Sequence, residues 1–92
     1  MNASSRGALL WELGRQIDEH AEELATIESR DNGKLMSEVS GQVRYVAKYF
    51  YYYAGLADKI QGAVVPMDKP KVFNYIKHEP LGVIASITPW NS

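Results

Sequence analysis

Cysteine is missing from the sequence altogether. No disulfide, thiolate metal site or cysteine nucleophile can therefore come from these residues. An excess of charge of either sign is missing too. Ten Lys and Arg stand against eleven Asp and Glu, a net charge of −1, which leaves no electrostatic footprint for nucleic acid or an anionic membrane. No apolar run approaches the ~20 residues needed to span a bilayer. The opening Met1-Asn2-Ala3-Ser4-Ser5 has no apolar core behind it and is not a secretory signal. A phosphate loop is also lacking, because Gly82-Val83-Ile84-Ala85-Ser86 has neither the second nor the third glycine of the dinucleotide fingerprint. These absences predict a cytoplasmic protein with no nucleic-acid or membrane partner.

What is present is ordinary globular material. The apolar fraction is 46% and the charged fraction 23% of 92 residues, enough for one domain with a marginal core. Leu10, Leu13, Ile17, Leu24 and Ile27 recur at helical spacing, with Glu12, Arg15, Glu19, Glu22 and Glu23 between them. Gly14 and Asp18-Glu19-His20 predict a break into two helices, one from about Ser5 and one ending near Arg30, with Asp18 capping the second. His20 falls on the apolar stripe. With no second histidine or cysteine nearby it reads as a half-buried packing residue rather than a ligand. The Asn-Gly of Arg30-Asp31-Asn32-Gly33-Lys34 is a helix stop. A third helix follows, striped by Val39, Val43, Val46, Ala47, Phe50, Ala54 and Ala57 and surrounded by Tyr45, Tyr49, Tyr51, Tyr52 and Tyr53. Base stacking would need a basic groove beside those rings. Only Arg44 and Lys48 are near, so the tyrosines read as core and interface packing.

Beyond Gly62 the period changes. Val64 to Met67 and Val72 to Lys77 read as strands of an antiparallel hairpin, with Pro66 marking an edge. Leu81 to Ser86 is apolar on both faces, as in a strand of a parallel sheet covered by helices. Such a strand delivers its C-terminal end to the crevice where α/β proteins bind ligands. Here that end is Ile87-Thr88-Pro89-Trp90-Asn91. Pro89 holds the turn extended and Trp90 is a stiff wall. The side-chain amide of Asn91 is a neutral double donor suited to developing charge on an oxygen. On local sequence alone, an Asn91 that caps a following helix beside a packing Trp90 remains open.

The segments IESRDNGK, YYYAGLADKIQG and HEPLGVIASITPWN, in this order and at these separations, resemble the aldehyde dehydrogenase superfamily from about Arg6 to Ser92. The resemblance implies an α/β protein whose subunits oxidise aldehydes to acids with NAD or NADP through a cysteine thiohemiacetal. Residues 1–92 would then be a partial N-terminal cofactor-binding region: helices, a hairpin over 62–79 serving as an oligomerisation arm, and the first strand of a Rossmann-like sheet. Asn91 would be the oxyanion donor. Ile87, Thr88, Pro89 and Trp90 would neighbour the cofactor, and Asp31 would lie at a monovalent cation site. The partners implied are a small-molecule aldehyde and further copies of the same chain, as a homodimer or homotetramer. The family's cysteine and its Glu-Leu-Gly-Gly segment are absent here. The sequence is therefore expected to be part of a longer protein and inactive alone. An alternative reading is a non-catalytic helical interaction module, because Leu10, Leu13, Ile17, His20, Leu24 and Ile27 keep heptad spacing. That stripe covers fewer than three heptads, short of a coiled coil.

Overall fold

The computed structural model describes residues 1–91. Three helices, α1 (Ala3–Glu19), α2 (Ala21–Asn32) and α3 (Met36–Leu56), precede two short strands, β1 (Ala63–Val65) and β2 (Asn74–Ile76). α1 begins at Ala3 rather than near Ser5 because Asn2 caps it, its Oδ1 accepting from the Ser5 amide at 2.8 Å. The junction with α2 falls at His20, and Asp18 does not cap. Asp18 lies inside α1, and the cap residue of α2 is His20, whose side chain makes no capping bond. The physical reason is continuity. The His20 amide donates to Gln16 O at 3.1 Å and the Leu24 amide to His20 O at 3.0 Å, so the helix kinks with its ladder largely intact and few amides are left to cap. His20 is exposed rather than half-buried, with Nδ1 2.9 Å from Gln16 O. The Asn-Gly stop forms as the sequence predicts. Gly33 takes φ 76° and its amide donates to Ser29 O, the left-handed C-terminal cap that glycine favours.

α1 and α2 run in succession along α3, antiparallel to it. The face that packs differs from the leucine stripe. Gly7 and Gly14 are the buried residues of α1, and Ala21 and Ala25 those of α2. A Cβ on Gly7 would sit 2.8 Å from Ala54 O, and one on Gly14 would sit 2.8 Å from the Tyr51 ring. The small residues let the backbones approach closely. Ala21, Ala25, Val39 and Val43 form the core, with Ile17 against it, while Leu13, Leu24, Ile27 and Val46 are exposed. Tyr51 joins the packing, its ring 4.6 Å from that of Trp11. Tyr45, Tyr49, Tyr52 and Tyr53 remain on the surface.

The hairpin is antiparallel in the register Ala63↔Ile76, Val64↔Tyr75, Val65↔Asn74. It is shorter than the sequence predicts. Pro66 has no amide for a ladder, so β1 ends before it. The expected strand over residues 81–86 does not form among the described residues, and these side chains are exposed, with Leu81 at 90%. A strand with two apolar faces needs neighbours on both edges and layers on both sides, and neither the hairpin nor the helices supply them. The radius of gyration is 19.3 Å, against about 12 Å for a compact domain of this length. The hairpin projects from the helices instead of closing on them.

Candidate functional site

The segment Ile87-Thr88-Pro89-Trp90-Asn91 returns to the far end of the helical pair. There the side-chain Nδ2 of Asn32 donates to the main-chain carbonyl of Trp90 at 3.3 Å, joining residues that lie 58 positions apart in sequence. Asn32 is the last residue of α2, so the turn that ends that helix holds the tail.

That turn is closed by polar side chains. Asn32 Oδ1 accepts from the Lys34 amide at 3.0 Å, and the Ser29 hydroxyl donates to Lys34 O at 2.7 Å. Lys34 Nζ reaches Glu28 Oε1 at 2.7 Å. Asn32 Nδ2 is 3.4 Å from that same oxygen. The Lys34 ammonium beside Glu28 holds its carboxyl below the usual carboxylate range, against partial burial. A depressed carboxylate stabilises the fold above its ordinary pKa of about 4 and loses that contribution as the pH falls through the lower folded value. The pair is partly exposed, so its worth is below about 1 kcal/mol. Replacing Lys34 by Met is expected to raise the Glu28 pKa and to flatten the acid limb of stability against pH. Titration of the Glu28 carboxyl carbon by NMR, beside acid unfolding of the same variant, checks both.

The other residues singled out in the sequence are spread differently. Asp31 is exposed, next to Asn32, on a shallow groove that also includes Ile17, Leu24, Ile27, Glu28, Val43 and Val46. No group of three or more His, Cys, Asp or Glu able to hold a metal ion occurs among the described residues. Ile87, Thr88, Pro89, Trp90 and Asn91 are all exposed, Ile87 fully and Trp90 at 78%. Nothing among the described residues covers these side chains, and the chain bends at Trp90. On α3, Tyr45, Lys48, Tyr49, Tyr52 and Tyr53 line a surface cleft. Lys48 Nζ stands 5.8 Å from the centre of the Tyr45 ring, and the Tyr45 phenol beside Tyr49 pushes the Tyr49 pKa up. No helix among the described residues is long and apolar enough to cross a membrane.

Sequence reading missed Asn32. It took Arg30 to Lys34 as a helix stop and singled out Asp31 alone from that stretch, and nothing in helical or strand periodicity links position 32 to position 90.

The family model described as "Aldehyde dehydrogenase family" matches residues 1–92. Among curated proteins, a (Z)-2-((N-methylformamido)methylene)-5-hydroxybutyrolactone dehydrogenase of Acinetobacter baylyi is 49% identical over 92 residues, covering 100% of this chain and 19% of that protein. An aldehyde dehydrogenase of Enchytraeus buchholzi is 46% identical over 91 residues, covering 98% of this chain and 18% of that protein. Aldehyde dehydrogenase 1A1 of Homo sapiens is 45% identical over 92 residues, covering 99% of this chain and 18% of that protein. The chain thus spans under a fifth of the length of these three relatives.

Proposed function

The chain belongs to the aldehyde dehydrogenase family, and on that basis we propose that it is the N-terminal cofactor-side segment of an enzyme that oxidises an aldehyde to a carboxylic acid with NAD or NADP. The observation that carries the reading is the Pro-Trp-Asn turn. It is tied back to the end of α2 through Trp90 O and leaves Asn91 exposed beyond the tie. In this reading a cysteine from the rest of the protein attacks the aldehyde carbon. Asn91 donates its side-chain N–H to the oxygen that gains charge in the resulting tetrahedral thiohemiacetal. Ile87, Thr88, Pro89 and Trp90 would line the cofactor, which accepts the hydride when bound. Their uncovered side chains support that placement.

The remaining assignments belong to the same reading. Asp31 is a cation ligand at the α2 terminus. The hairpin is a subunit contact in a cytoplasmic homodimer or homotetramer, supported by the apolar Val72, Phe73, Tyr75 and Ile76 side chains that it exposes. Charges at Val72 and Ile76 are expected to lower the oligomeric state of the full-length enzyme, as read by light scattering. The test of the function itself is aldehyde-dependent NADH or NADPH formation by the full-length protein, assayed beside Asn91→Ala. Absence of turnover with any aldehyde, or full turnover without the Asn91 amide, refutes the reading. The exposed Leu13, Leu24 and Ile27 would suit a helical interaction module. In a family member under a fifth of its relatives' length, the same exposure is met by the rest of the protein.

A further inference from the structure

We infer that Asn32 is a positioning residue for Asn91, acting through the peptide plane between Trp90 and Asn91; this rests on Asn91 being the oxyanion donor. The Asn32 amide can face only one way. Its oxygen takes the Lys34 N–H at 3.0 Å, while its nitrogen faces two acceptors, Trp90 O at 3.3 Å and Glu28 Oε1 at 3.4 Å. A flipped amide would set nitrogen against N–H and oxygen against oxygen. The platform beneath is fixed as well. Ser29 Oγ donates to Lys34 O, Lys34 Nζ pairs with Glu28, and Gly33 holds the left-handed cap.

The acceptor matters because of what it is bonded to. Trp90 C=O and Asn91 N–H belong to one planar peptide unit. Holding that carbonyl limits rotation of the plane and so sets the direction in which the Asn91 Cα presents its side chain. The side chains of residues 87–91 are exposed, and the segment pairs with no strand among the described residues. A displacement near 1 Å of a catalytic donor is enough to cost about 10²-fold in rate.

The test uses the full-length enzyme with Asn32→Asp, Asn91→Ala and the double variant. Aspartate keeps an oxygen for the Lys34 amide and replaces the donor to Trp90 O by an acceptor. Asn32→Asp is expected to lower kcat by about 10- to 100-fold, to leave KM for the cofactor unchanged, and to have no further effect on Asn91→Ala, since it acts only through that residue. Amide exchange of Ile87, Thr88, Trp90 and Asn91 should quicken while α2 and α3 stay protected. Asn32→Ser, which also keeps an oxygen, serves if the aspartate variant does not fold. The inference is overturned if the loss in kcat carries over undiminished onto Asn91→Ala, or if exchange at 87–91 is unchanged. A fully active Asn91→Ala would refute the oxyanion reading instead. In that case exchange at 87–91 alone still decides whether Asn32 holds the turn.

Discussion

Asn91→Ala in the full-length enzyme is expected to lose about 10² to 10³ in kcat, roughly 3–4 kcal/mol of barrier, with cofactor affinity near normal. Charge on the substrate oxygen is greater in the tetrahedral state than in the bound aldehyde. A donor aimed at it therefore stabilises the barrier top more than the bound substrate. Asn91→Asp should be at least as harmful, because a carboxylate would face a developing oxyanion. The competing account, in which Asn91 only caps a following helix, makes the opposite forecast for the same pair. Aspartate is as good a cap as asparagine, and alanine would cost about 1 kcal/mol of stability with little change in rate. Steady-state kcat and Tm measured for both variants separate the two. Near-native turnover by the Asn91→Asp enzyme would exclude the oxyanion role.

How much of this was legible before the structure depended on what each feature rests on. The Asn32-Gly33 stop was legible because a left-handed cap is a local backbone property, and Gly33 adopts it at φ 76°. The three helices were legible from periodicity. Their packing face was not. Leucine content pointed to Leu13 and Leu24, yet α1 and α2 meet α3 through Gly7, Gly14, Ala21 and Ala25. Close approach of backbones is set by where side chains are smallest, and an apolar count does not register glycine at all. The leucine face is exposed in this chain, at 45% for Leu13 and 39% for Leu24. The strand over 81–86 was read from composition, but a strand exists only by pairing, and no partner for it occurs among the described residues. The tie between Asn32 and Trp90 spans 58 positions, beyond any local pattern.

The glycine-lined packing leads to the other large expected effect, and it carries its own control. A Cβ at Gly7 lies 2.8 Å from Ala54 O and 3.3 Å from the Ala57 Cβ. The first neighbour is a backbone carbonyl inside a helix, which cannot rotate away, so α1 must lift off α3. At Gly14 the nearest atoms belong to the Tyr51 ring, which can swing aside, and the cost there is smaller. Against either clash stands the gain in helix propensity from Gly to Ala, about 1 kcal/mol. At Gly41, inside α3, no neighbour lies within 4 Å of the added Cβ, so the gain acts alone. Gly41→Ala is therefore expected to stabilise by about 0.5–1 kcal/mol. Gly7→Ala should destabilise, and Gly7→Val should do so by ~2–3 kcal/mol, the upper part of the range for forced overpacking. Protection of α1 and α3 amides in the full-length protein reads both signs. Equal, small effects at positions 7 and 41 would mean that α1 and α3 do not meet at their backbones.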